Sequence, residues 1–137
     1  MPQSNLDAIR KLFQAFETGN ADSLTDFIAA DYLNHESVDD GRSHARGLEE
    51  VRETVKWLRG AFTDLAFDEQ EVVEQDDCIA MWVTMRGKHA GVFFGIPPEG
   101  KRFAQRQAHF FRCEDGKVAE HRAIRDDLGL RLQLGRG

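Results

Sequence analysis

The stretch RFAQRQAHFFRCEDGKVAEHRAIR, residues 102–125, decides the fold. At its centre Asp115-Gly116 is a tight-hairpin signal, because both residue types tolerate the positive φ that a short turn between twisted strands requires. The flanks, Arg102 to Cys113 and Lys117 to Arg125, therefore read as two antiparallel strands. Counting in twos puts Gln105, Gln107, His109, Phe111 and Cys113 on one face of the first strand. Arg106, Ala108, Phe110 and Arg112 fall on the other. The first face mixes amide, imidazole and apolar groups, as a ligand-pocket wall does; a solvent-facing or dimer-facing row is the alternative reading. On the returning strand Val118, Glu120, Arg122, Ile124 and Asp126 count onto one face.

Upstream, Leu65 to Gln75 and Cys78 to Lys88 read as two more strands, separated by the turn signal Asp76-Asp77. Gly87, Gly91, Gly95 and Pro97-Pro98-Glu99-Gly100 punctuate an irregular crossing into the hairpin. The first sixty residues have a different period. Ser4-Asn5-Leu6-Asp7 resembles a capping box, Leu6, Ile9, Leu12, Phe13 and Phe16 recur at helical spacing, and Gly19-Asn20 ends the run. A second, shorter helix is predicted from Ser23 to Ala30, burying Leu24, Phe27 and Ile28. Glu36 to Arg46 reads as a loop. The third helix is marked by Leu48, Val51, Val55, Leu58 and Phe62, which step by 3, 4, 3 and 4. A last short helix runs around Leu128 to Leu134. The expected class is α+β: three N-terminal helices packed on a strongly curved, four-stranded antiparallel meander, with a cone-shaped pocket between them.

The chain has 137 residues and 15.6 kDa, which fits one domain spanning 1–137. At that size roughly 68–70% of the unfolded surface is buried, so a core needs neither metal nor disulfide. The net charge of −6 and pI near 5.3 argue against a non-specific nucleic-acid binder, which needs a basic surface. No apolar run approaches the ~20 residues of a membrane span. Met1 to Arg10 carries no positive-then-apolar leader pattern, and two cysteines, Cys78 and Cys113, sit in strand-like runs as small hydrophobes, a disulfide or a reactive thiol being the alternative. A cytoplasmic protein is expected.

Asp126 lies where the last strand meets the last helix. There an aspartate caps the helix by accepting a backbone N–H, or it faces the pocket as an acid/base group; the two roles can also be divided between Asp126 and Asp127. The five histidines, His35, His44, His89, His109 and His121, fit no metal-ligand spacing, so no metal site is expected. A single pocket histidine serves as hydrogen-bond donor or proton shuttle. For His89 the plain alternative is a turn contact, and for His44 and His121 it is exposure. No nucleophile elbow, phosphate loop or dinucleotide fingerprint is present.

Tyr32-Leu33-Asn34-His35, Phe62-Thr63-Asp64-Leu65, Lys88-His89-Ala90-Gly91, Gly95-Ile96-Pro97-Pro98-Glu99-Gly100-Lys101 and the run from Asp115 through Asp126 to Gly135 occur in a familiar order. Taken together, from about residue 6 to 135, they resemble the SnoaL-like polyketide cyclases of the nuclear-transport-factor-2-like superfamily. The resemblance implies a cofactor-free enzyme that closes a ring by intramolecular aldol condensation on the methyl ester of an aromatic polyketide. It implies Asp126 as general acid/base, with His109 beside it as the second catalytic residue. Candidate substrate-binding residues are Asn34, His35, Trp82, His89, Gln107 and Arg122. Arg122 stands where the family usually has tryptophan, and an arginine there alters pocket polarity or pairs with Glu120 or Asp126.

The chemistry needs a carboxylate to remove a proton beside a carbonyl and donors to hold the developing oxyanion. Isomerase or epoxide-hydrolase chemistry on the same scaffold is the second reading. A non-catalytic ligand-binding or dimerisation module is the third. An exposed sheet face of this kind is often covered across a two-fold axis, so a homodimer is expected. The partner molecule is a hydrophobic carbonyl compound, with no nucleic acid and no membrane.

Overall fold

The computed structural model describes residues 4–36 and 46–135. Ser4 Oγ accepts the Asp7 N–H at 3.1 Å and opens α1 (Asn5–Thr18), which Gly19 ends in the left-handed region at φ 80°. The face carrying Ile9, Leu12 and Phe13 is buried. A second long helix, α2 (Gly47–Ala61), buries Val51, Val55 and Leu58. It stops one residue earlier than the apolar stripe implies: Phe62 is already the first residue of β2 (Phe62–Gln75). Then follow β3 (Cys78–His89), β4 (Arg102–Glu114), β5 (Lys117–Arg125) and the short α3 (Asp127–Gln133). No helix among the described residues is long and apolar enough to cross a membrane.

The expected helix from Ser23 to Ala30 is not formed. Only Leu24–Asp26 turns, as a single 3₁₀ unit, and Ile28–Asn34 is a strand, β1. The sheet is therefore five-stranded and mixed, in the order β1-β5-β4-β3-β2, with β1 parallel to β5. The physical reason is tertiary. A short isolated helix carries its full nucleation cost for few hydrogen bonds. The same residues laid beside β5 gain a ladder, starting with the Val118 N–H donating to the Phe27 carbonyl at 2.9 Å. The predicted loop from Glu36 to Arg46 lies, except for its two ends, outside the described residues, as does His44.

The hairpin at Asp115-Gly116 forms as predicted, with Glu114 opposite Lys117 and Cys113 opposite Val118. The next pair is Arg112 with Glu120, so Ala119 is an extra residue in β5. A bulge of this kind shifts the strand by one and turns every later side chain to the opposite face. Beyond it Phe111 faces His121, His109 faces Ala123, and Gln107 faces Arg125. The inward set of β5 is thus His121, Ala123 and Arg125, not Arg122, Ile124 and Asp126.

The core has two parts. One gathers Ile9, Leu12, Phe13, Val51, Val55, Met81, Val83 and Phe111 under α1 and α2. The other gathers Leu58, Phe62, Leu65, Met85, Phe93, Phe103 and Leu130 near α3. Between them β4 lays a buried polar row, Gln105, Gln107 and His109, bounded by Phe103 and Phe111. Cys113 is buried and its thiol is pushed up to about 11 by burial, whereas Cys78 is exposed.

Candidate active site

A cavity of about 220 Å³ opens between α2, the β3–β4 connection and the end of β5. Trp57 and Leu58 from α2 and Phe93 and Phe94 from the connection form its apolar side. The rings of Phe93 and Phe94 lie 4.5 Å apart between centroids, and Trp57 stands 5.4 Å from Phe93, so the aromatic wall is continuous. Gln105, Arg125, Asp127, Glu36 and Thr54 supply the polar side. Deeper in the molecule a hollow of about 30 Å³ brings Asn34, Glu50, His109 and His121 together, and shares Glu36, Thr54 and Arg125 with the outer cavity.

The polar groups are joined. Gln105 Nε2 donates to Asp127 Oδ1 at 3.0 Å, and Gln107 Nε2 donates to Gln105 Oε1 at 2.9 Å. Gln107 Oε1 lies 2.7 Å from His109 Nε2, and His109 Nδ1 lies 2.8 Å from His121 Nε2. His121 Nδ1 lies 3.1 Å from Asn34 Oδ1, and Asn34 Nδ2 donates to Glu50 Oε1 at 2.7 Å. The Glu36 backbone N–H donates to Asn34 Oδ1 at 3.1 Å, and the Thr54 hydroxyl donates to Glu50 Oε1 at 2.9 Å. Arg125 is ion-paired with Glu36 across the boundary between the two spaces.

Burial drives His109 well below the usual imidazole range, and the charges of His121 and Arg125 push the same way. Burial, helped by Arg125 and His35, lowers His121 to about 3. Phe13 meets the His109 ring edge-on with centroids 5.1 Å apart.

Of the residues singled out in the sequence, the structure brings together Asn34, Gln107 and His109. All three are buried, and Gln107 links the outer cavity's Gln105 to the inner histidines. Asp126 does not line either space. Its Oδ1 accepts the Gly129 N–H at 2.9 Å as the cap of α3, and its Oδ2 lies 3.7 Å from Arg106. Asp127, one residue on, lines the cavity. Arg122 points outward and pairs with Glu120 at 3.6 Å, so it does not alter the cavity's polarity. The cause in both cases is the extra residue Ala119.

Trp82 stands on the outer face of the sheet, 43% exposed, because β3 turns Met81, Val83 and Met85 inward instead. His35 points away from the cavity, with Nε2 3.3 Å from Glu120 Oε2. His89 is buried beside Phe62 at the end of β3 and lines neither space; its backbone N–H donates to the Lys101 carbonyl at 2.9 Å. His121, for which exposure was the plain alternative, is buried.

Four residues escaped the sequence reading: Arg125, His121, Glu36 and Glu50, whereas Asp127 stands in it as the aspartate that can divide the two roles with Asp126. The first two require the bulge to be known. Glu50 left a signal, since Glu50 and Thr54 are one turn apart beside the apolar stripe of Val51 and Val55.

Known proteins resemble the chain over nearly its whole length. The family model described as SnoaL-like polyketide cyclase matches residues 6–134. The aklanonic acid methyl ester cyclase DnrD of Streptomyces peucetius is 34% identical over 133 residues, covering 96% of this chain and 91% of that enzyme. The nogalonic acid methyl ester cyclase of Streptomyces nogalater is 33% identical over 125 residues, covering 90% and 92%. Among solved structures, wild-type IdmH of Streptomyces antibioticus superposes with a TM-score of 0.81 at 29% identity, covering 96% of this chain and 98% of that one. TsrD of Streptomyces laurentii gives 0.80 at 26% identity, covering 93% and 95%.

Proposed function

The chain belongs to the SnoaL-like polyketide cyclases, and from that premise we propose that it closes a ring by intramolecular aldol condensation of a hydrophobic polyketide ester, with Asp127 as the general acid/base. The observation that carries this reading is one aspartate lining a cavity whose opposite wall is aromatic and whose near wall is a buried amide. Asp127 Oδ1 is held by Gln105, which leaves the second oxygen for the substrate. That oxygen takes the proton from the carbon beside a carbonyl and later returns it to the new alkoxide. Arg125, anchored by Glu36 in the same cavity, is the cation available to the developing enolate oxygen.

The cavity is smaller than the ~300–1,000 Å³ of usual ligand pockets. The reacting ring therefore sits inside, and the remaining rings rest on Trp57 and Phe94, which are exposed at the rim. The role that the family resemblance attaches to Asp126 passes to its neighbour, because Asp126 is engaged as the helix cap.

Asp127→Asn and Asp126→Asn separate the two, assayed on aklanonic acid methyl ester, the compound in the relatives' names. Asp127→Asn is expected to lower kcat by roughly 10²–10⁴-fold. Asp126→Asn keeps a competent cap and is expected to stay near wild type. The opposite pattern returns the chemistry to Asp126. We also propose that two copies associate through the outer sheet face, where Val73, Trp82, Phe110 and Ile124 are exposed.

A further inference from the structure

The polar groups between Asp127 and Asn34 form one unbroken series, and its hydrogens do not add up when every member is in its ordinary state. Five contacts join Asp127, Gln105, Gln107, His109, His121 and Asn34 Oδ1. Each contact needs one hydrogen. A glutamine amide in such a series gives its N–H to one neighbour and its oxygen to the other, and a neutral imidazole gives one N–H and one lone pair. The four inner residues therefore supply four hydrogens.

Both ends accept. An ionised Asp127 has only lone pairs, and the orientation of the Asn34 amide is fixed from outside the series. The Glu36 backbone N–H donates to Asn34 Oδ1, and the Glu50 carboxylate takes a hydrogen of Nδ2. One hydrogen is missing, in a region where an unmatched buried pair of acceptors is costly.

We propose that the series itself holds the missing hydrogen as a mobile proton, either on Asp127 as the neutral acid or on the His109–His121 pair as a shared imidazolium, so that Asp127 is a carboxylate only when the pair is a cation. Gln105, Gln107, His121 and Asn34 are then positioning residues that tie the charge of the reacting carboxyl to a site deep in the molecule. The groups facing the pair are Glu36, Glu50, Thr54, Tyr32 and Arg125, with Phe13 closing the side toward α1. Burial and the Arg125 charge act against the imidazolium, whereas the amides as they stand, with Gln105 Nε2 toward Asp127 and Gln107 Nε2 toward Gln105, are those of the form with the hydrogen on the histidine pair, where His121 Nδ1 lies 3.7 Å from Glu36 Oε1.

Passing from one form to the other takes a proton shift along the hydrogen bonds together with a turnover of both glutamine amides, and with the hydrogen on the histidine pair Asp127 is a base. The proton taken from the substrate carbon then goes through Asp127 to the alkoxide. The hydrogen of the series stays on the pair through the cycle and is not consumed. Its catalytic meaning rests on Asp127 being the reacting carboxyl; its test needs no substrate.

The test is ¹³C and ¹⁵N NMR of the labelled full-length protein at pH 7, reading the Asp127 carboxyl carbon and the four imidazole nitrogens of His109 and His121. The wild type is expected to show one of the two coupled combinations, a carboxylate beside a protonated pair or a carboxylic acid beside two neutral imidazoles. Gln105→Met and Gln107→Met, near in shape to glutamine, each cut the series at a different link. In either variant Asp127 is expected to become a carboxylate while both imidazoles are neutral. A wild type with ionised Asp127 and two neutral imidazoles overturns the proposal. So do methionine variants that keep the wild-type combination of charges.

Discussion

The His121 ring lies beside both His109 and Phe111, near-parallel to each, with centroids 5.1 and 4.8 Å away. Held at about 3 in the fold against 6.5 for a free imidazole, it binds fewer protons folded than unfolded everywhere between those values. The sign follows: stability is full above about pH 6.5 and is lost as pH falls toward 3, by several kcal/mol in order of magnitude. Denaturant midpoints measured from pH 7.5 to 4 should decline, and a flat profile contradicts the buried neutral histidine. At this scale β4 was legible and β5 was not. Gln107 and His109 were found because β4 alternates without interruption against β3, so counting in twos works. His121 and Arg125 were missed because the same counting, carried around the hairpin, passes through Ala119 as though it were paired.

Gly91 joins two elements that the sequence leaves separate. Its N–H donates to the Ala61 carbonyl at 2.9 Å, and a Cβ built on it would lie 2.1 Å from the Gly60 carbonyl oxygen. The β3–β4 connection is thereby pinned to the end of α2, which brings Phe93 and Phe94 to the cavity beside Trp57. Gly91→Ala forces backbone apart and is expected to cost roughly 1–3 kcal/mol by thermal or denaturant unfolding. A variant as stable as the wild type would show that the close approach does not exist in solution. Helices α1 and α2 and the last four strands were readable, since each carries its own period or turn signal. β1 was not, because Leu24, Phe27 and Ile28 satisfy a helical spacing equally well and only the neighbouring β5 decides between the two.

Across the whole molecule the sheet has one face under the helices and one face bare. The bare face carries Trp82, Phe110 and Ile124 among arginines such as Arg106 and Arg122, and no element among the described residues covers those three apolar residues. Trp82→Glu is expected to shift a dimer to a monomer in sedimentation velocity while leaving the cavity residues in place. A wild type already monomeric at tens of micromolar, an order-of-magnitude working range, removes the homodimer. The bulge in β5 has a further consequence, for comparison between relatives. An added or lost residue beside the hairpin reverses which alternate side chains look inward while leaving the neighbouring letters unchanged. Two relatives that differ there place identical residues on opposite sides of the same wall, and a change of length by one is the shortest route to a new set of reacting groups.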